Sequence, residues 1–257
     1  MTPDSTHSDT ASAKQAANLT DYVRETIEGA RFALLDFDGP ICRLFAGHSA
    51  AKIADEQIRW LADQGLHGLL TDGVREETDP FAVLRAVADR HPHSDLVAEL
   101  EERLTRQELA AVPSAWPTPY ADAVIRTWTA VGVRLAITTN NSARTAARYL
   151  TTRGLTACFA PHIYGRTQAL HLLKPDPHCV TRALSAMGAA PSDAVMIGDT
   201  PSDFHAARAA KVDFIGFARN ERKARLLREA GAADEFLVPS WEQVLRLLRG
   251  DVTPAKT

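Results

Sequence analysis

Short apolar runs, each bounded by turn residues and each followed by a helix-length stretch of 3.6-residue periodicity, constrain the fold of this chain more than any other feature. Such runs fall at residues 133–138, 194–197 and 213–217, and the segment Phe32-Ala33-Leu34-Leu35 is a fourth. The pattern predicts helices from Thr118-Pro119 to near Gly132, from Asn140 or Asn141 to Gly154, and over 177–187 before Gly188. Further helices are predicted over 202–210, from Asn220 to Gly231, and after Ser240 with Gln243 in the capping-box position. A short helix over 19–28 precedes the first strand. Strands that alternate with helices pack as a parallel sheet covered on both faces, so the expected class is α/β.

The interval between the first strand and the rest reads differently. Residues 44–115 hold only helical patterns: one over 48–64, one opened by Asp79-Pro80, and one over 94–112. Asp79 is a good N-cap, and Pro80 suits the first helical position. Pro113, Pro117 and Pro119 mark the exit. The chain therefore divides into a polar, disordered tail (1–18), a core built from 19–43 and 116–250, and a helical cap inserted at 44–115.

Bulk properties remove several classes of function. The 257 residues carry a net charge of −3, which gives no electrostatic reason for a nucleic-acid or anionic-membrane partner. No apolar run approaches the roughly 20 residues needed to cross a bilayer, and the polar start lacks the apolar segment of a secretory signal. Cys42, Cys158 and Cys179 are widely spaced, which indicates neither a zinc site nor a disulfide framework. A cytoplasmic protein, monomer or homodimer, is expected.

Ligands of open α/β sheets bind beyond the carboxyl ends of the strands. The first strand ends in Asp36-Phe37-Asp38-Gly39-Pro40. Residues i and i+2 of an extended segment point the same way, and like charges so close disfavour joint ionisation. A cation or a chemical role keeps such a pair; an ordinary acidic turn is the plainer alternative. The second strand ends at Thr139-Asn140, and a later one at Gly198-Asp199, followed by Thr200-Pro201-Ser202-Asp203. Lys174 lies between them in Leu173-Lys174-Pro175-Asp176-Pro177. Clustered Asp oxygens match a hard cation such as Mg²⁺. A lysine and helix N-terminal amides suit a phosphate dianion, and a carboxylate facing phosphorus can act as nucleophile.

Taken in order, Asp-Phe-Asp-Gly, Ile-Thr-Thr-Asn, Lys-Pro-Asp-Pro and Ile-Gly-Asp-Thr-Pro-Ser-Asp resemble the four motifs of the haloacid dehalogenase superfamily of phosphatases. The resemblance spans about 31–43 and 116–240. It implies a Rossmann-like parallel-sheet core with an α-helical cap domain, and Mg²⁺-dependent hydrolysis of a small phosphorylated metabolite through an aspartyl-phosphate. By the same resemblance Asp36 is nucleophile and metal ligand, and Asp38 is general acid and reaches the metal through its carbonyl. Thr139, rather than Thr138, binds phosphate with Asn140 and Gly39 beside it. Lys174 neutralises Asp36 and the phosphoryl group, and Asp199 and Asp203 complete the metal site. Asp203 could instead cap its helix. Arg43 could meet a substrate anion. His48 lies where a histidine of β-phosphoglucomutase helps control proton transfer, so a phosphosugar mutase is an alternative. A non-catalytic ligand-binding module is a second alternative. Dehalogenation is disfavoured because Asp38 is present, and phosphonate hydrolysis has only Lys52 for a cap amine. Two departures, Pro40 after Gly39 and Arg43-Leu44, lie at the hinge of the cap. The basic run 219–228 reads as the solvated face of a helix.

Overall fold

A computed structural model describes residues 19–250; the expected tail at 1–18 lies outside them. In chain order, α1 (Asp21–Gly29) leads to β1 (Phe32–Leu35) and the two-residue β2 (Cys42–Arg43). Four helices follow: α2 (Ala50–Asp63), α3 (Asp72–Arg75), α4 (Pro80–Arg90) and α5 (Asp95–Ala111). The chain returns through β3 (Trp116–Pro117) to α6 (Ala121–Ala130), β4 (Arg134–Ser142), α7 (Ala143–Arg153), α8 (Thr156–Phe159) and β5 (Ile163–Arg166). It ends with α9 (His178–Met187), β6 (Ala194–Gly198), α10 (Pro201–Ala209), β7 (Asp213–Phe217), α11 (Glu221–Glu229), β8 (Leu237–Val238) and α12 (Trp241–Leu248).

Six strands form one parallel sheet in the order β5-β4-β1-β6-β7-β8. All four residues of β1 are buried, as expected of a central strand with helices on both faces. In register, Leu35 pairs with Ile137 on one side and Ile197 on the other. The residues that follow these three paired residues therefore emerge at one edge. That edge is the topological switch point, because the chain leaves β1 toward β4 and later returns to its other side at β6.

Phe37 faces away from its two Asp neighbours and is fully buried, edge-on to Tyr149 at 5.4 Å. The acid pair is thus anchored by an apolar residue on the opposite face. β2 and β3 pair antiparallel, so the two connections to the helical insert run side by side as a short ribbon. The insert has its own apolar cluster of Ile53, Leu61, Val83, Leu84, Leu100 and others, but Leu170 and Leu173 of the core complete it. Among the described residues no helix is long and apolar enough to cross a membrane.

Three sequence expectations need correction. β5 and β8 were not anticipated; both are short, β8 only two residues, and neither carries a long apolar run. β4 runs on to Ser142, so the next helix begins at Ala143 and neither Asn140 nor Asn141 caps it. Both amides are used elsewhere, that of Asn140 on the Lys174 backbone and that of Asn141 on Glu108 of α5. The helix expected from Thr118 begins at Ala121, because the Thr118 hydroxyl donates to the Gly39 carbonyl (2.6 Å) instead of capping. Trp116 is exposed, with Arg43 stacked over it.

Candidate active site

A cavity of about 400 Å³ opens at the carboxyl edge of the sheet, lined by Asp36, Asp38, Thr139, Asn140, Lys174 and Asp203, among others. Its floor is an ion cluster. Lys174 is buried, and its Nζ donates to Asp36 Oδ1 (2.8 Å), Asp203 Oδ1 (2.5 Å) and the Thr138 carbonyl (2.8 Å). Those three contacts use all three ammonium hydrogens. Burial alone would lower the Lys174 pKa, but Asp203 and Asp36 outweigh it and hold the amine charged. Asn140 fixes the lysine from behind: its Nδ2 donates to the Lys174 carbonyl (3.1 Å), and its Oδ1 accepts from the Lys174 N–H (2.8 Å).

Asp38 lies on the same side as Asp36, as alternation requires. Its Oδ1 accepts the Leu44 N–H at 2.9 Å. Burial, then the neighbouring Asp203 and Asp199 charges, push Asp36 up to about 7 against the pull of Lys174. Asp38 rises to about 6, chiefly from burial, with the Leu44 N–H, Lys223 and Arg219 opposing. Asp199 also rises to about 6, from burial and from Asp203, against Lys223. A carboxyl group near neutrality is the property a general acid needs.

Oxygens of Asp36, Asp199 and Asp203 lie within 4.8 Å of one another. Asp203, however, is heavily committed. Its Oδ2 accepts the N–H groups of Asp199 (3.1 Å) and Thr200 (3.0 Å) and the Thr200 hydroxyl (2.6 Å), completing the capping box of α10. Asp199 is different: its Oδ1 is buried with no hydrogen-bond partner. A buried carboxylate oxygen left unsatisfied is costly, and a hard cation would satisfy it. Hence the donor set fits a divalent ion at Asp36 and Asp199, with Asp203 holding Lys174 and the loop. Gly39 lies against the Asp199 carboxylate with φ of 131°, and a β-carbon there would collide with that carboxylate.

The remaining expected residues divide. Thr139 lines the cavity and Thr138 does not, although the Thr139 hydroxyl is engaged with Asn141: it donates to Oδ1 (3.2 Å) and accepts from the N–H (3.1 Å). Arg43 is drawn to Trp116, 5.2 Å from its ring centre, and does not line the cavity. His48 bonds Gln107 at 3.0 Å, and Gln107 bonds Glu56; His48 is likewise absent from the lining. Lys52 is exposed on α2.

Sequence reasoning missed three features. Lys223, taken for solvated surface, places Nζ 2.8 Å from Asp199 Oδ2. Arg85 and Phe81 of α4 bring the insert into the cavity wall. Glu108 of α5 and Arg166 of β5 form a fully buried ion pair at 2.8 Å. Glu108 also accepts from Asn141 Nδ2 (3.0 Å) and the Ser142 N–H (2.9 Å), while Arg166 donates to the Asn140 carbonyl (3.0 Å). The insert thereby fixes the Thr139–Asn141 segment. The Asp79-Pro80 start and the helical period found the helices, but not which side chains turn inward.

A parallel sheet with a buried lysine–carboxylate cluster at its switch point defines a Rossmann-like α/β scaffold with a charged site at its carboxyl edge. The chain belongs to the haloacid dehalogenase-like hydrolase family, whose match covers residues 84–217, just over half of the chain. That match takes in Thr139, Lys174, Asp199 and Asp203; Asp36 and Asp38 join them through the fold. Similar solved structures include a family hydrolase from Deinococcus radiodurans R1 with bound phosphate and sodium, 27% identical, with a TM-score of 0.55 over 88% of this chain and 99% of that one. A predicted phosphatase from Clostridium acetobutylicum is 15% identical, with a TM-score of 0.61 over 85% and 98%. A predicted phosphoglycolate phosphatase from Haemophilus somnus is 15% identical, with a TM-score of 0.59 over 85% and 98%. The last two likenesses show the fold alone. No curated protein matches the chain.

Proposed function

We propose that the chain is a Mg²⁺-dependent phosphatase that hydrolyses a small phosphomonoester through an aspartyl-phosphate at Asp36. The observation that carries this reading is the contact of Lys174 with Asp36, 138 residues apart in sequence, beside Asp38 and the orphaned Asp199 oxygen. Lys174 fixes Asp36 Oδ1 and leaves Oδ2 to attack phosphorus. As the bond from phosphorus to the ester oxygen breaks, Asp38 gives its proton to the leaving oxygen. Asp38, now a carboxylate, takes a proton from water as that water attacks phosphorus. Inorganic phosphate leaves and Asp36 is restored. Lys174 balances charge on the phosphoryl oxygens, and Thr139 serves them once its hydroxyl turns from Asn141. Mg²⁺ held by Asp36 and Asp199 would favour the ionised form of Asp36 and neutralise charge developing on the phosphoryl group.

The mutase alternative drew on His48 alone, and His48 is tied to Gln107 outside the cavity lining. Phosphate release from a panel of phosphomonoesters, with Mg²⁺ and with EDTA, tests the main reading. Metal-dependent release by the wild type and its loss in Asp36→Asn is the expected result. No release from any ester, with Asp36→Asn indistinguishable from wild type, would contradict it.

A further inference from the structure

We infer, on the basis of the phosphatase reading above, that the substrate carries a second compact oxyanion, a carboxylate or second phosphate, which Arg85 of the helical insert binds. The cavity has two walls. The core supplies Asp36, Asp38 and Lys174; α4 and its N-cap supply Phe81, Arg85 and Asp79. Among the described residues two cations line it, Lys174 and Arg85. Lys174 has spent its three donors on Asp36, Asp203 and the Thr138 carbonyl.

Arg85 is in the opposite condition. Its guanidinium makes no hydrogen bond among the described residues. Its nearest charge is Asp79 Oδ2, 3.8 Å from Nη2, which is outside hydrogen-bond distance. Asp79 Oδ1 is occupied by the Phe81 N–H at 2.9 Å, where it caps α4. Asp79 therefore biases the guanidinium without saturating it, and the planar fork remains open. A fork of five N–H donors matches a carboxylate or phosphate through two parallel bonds.

The rest of the lining restricts what stands between the two anions. Phe81 and Pro201 are its only apolar side chains, which leaves little surface for an aromatic or alkyl leaving group. About 400 Å³ lies toward the small end of ligand sites, so the second anion is only a few bonds from the phosphoryl group. The substrate class is a short phosphorylated acid or a short bisphosphate.

The test compares kcat/KM for matched esters in wild type, Arg85→Met and Arg85→Lys. One arm pairs 2-phosphoglycolate with 2-hydroxyethyl phosphate. A second pairs 3-phosphoglycerate with glycerol 3-phosphate. A third uses glycerol 1,3-bisphosphate to separate a phosphate from a carboxylate as the second anion. The wild type is expected to prefer one doubly anionic class over its neutral partner by about 10- to 100-fold. Arg85→Met should collapse that ratio toward unity, mainly through KM, and Arg85→Lys should restore part of it. Turnover of all esters without such a preference, or a preference that survives Arg85→Met, overturns the role of Arg85 and leaves the phosphatase reading standing. Turnover of none overturns both.

Discussion

At the scale of single residues, the site is a problem of charge placed where water is scarce. Asp36, Asp38 and Asp199 all titrate well above an ordinary Asp, to about 7, 6 and 6, with burial the largest cause in each. An unfolded Asp titrates near about 3.9, so the folded protein holds these protons more tightly than the unfolded chain does. The stability they contribute is full below about pH 4 and is lost as pH rises through 6 to 7. Lys174 works in a separate window, above the ordinary lysine range. In EDTA, thermal unfolding should therefore occur at a lower temperature near pH 7.5 than near pH 5, and Mg²⁺ should raise the higher-pH value most. An EDTA melting temperature that climbs over this interval would count against the electrostatic account. Gly39 gives a second test at this scale. Alanine there meets the Asp199 carboxylate and must hold a φ of 131°. Such strain costs on the order of 1–3 kcal/mol, and Gly39→Ala should lower both the melting temperature and phosphate release. A fully active Gly39→Ala enzyme would contradict the packing described.

Among the secondary elements, three strand ends and one loop carry the proposed chemistry, and these are the parts legible in the sequence. Asp36, Thr139 and Asp199 follow short apolar runs, and Lys174 sits between prolines, so local pattern sufficed to find them. Lys223, Glu108, Arg166 and Arg85 carry no such punctuation. Each lies inside a helix or on an edge strand; Lys223, Glu108 and Arg166 acquire their partners, and Arg85 its place in the cavity wall, only when distant elements pack. Asn140 and Asn141 show the same limit from the other side: a pattern typical of a helix cap was overridden because Lys174 and Glu108 claimed their amides. The Glu108–Arg166 pair should be expensive to break. Losing one partner of a buried ion pair costs about 3–5 kcal/mol, much of it the charge left unpaired. In urea unfolding, Glu108→Met and Arg166→Met should each be strongly destabilising, and the double variant less so than the sum. Simple additivity would show that the two charges do not act as a unit.

Over the whole molecule, the helical insert is no detachable lid. The β2–β3 ribbon joins it at one end, its apolar cluster includes Leu170 and Leu173 of the core, and Glu108 reaches under the Thr139–Asn141 segment. Replacing residues 44–115 by a short flexible linker should therefore expose apolar surface and remove the Glu101 and Glu108 partners of Arg166. The expected product aggregates or unfolds with reduced cooperativity, as judged by size-exclusion chromatography and thermal unfolding. A monomeric deletion variant that unfolds as cooperatively as the full chain would refute this integration. The same architecture puts the insert's Arg85 across one small cavity from the core's Asp36, so the part of the molecule that packs under the Thr139–Asn141 segment also supplies the cavity's second wall.

The central claim is that Asp36 takes the phosphoryl group. The most direct measurement is rapid acid quench of the Mg²⁺-loaded enzyme during turnover of a ³²P-labelled substrate, followed by peptide mapping by mass spectrometry. The account predicts label on the peptide containing Asp36, sensitive to hydroxylamine and absent in Asp36→Asn. Turnover with no label on Asp36 at any quench time, together with full activity in Asp36→Asn, would contradict it.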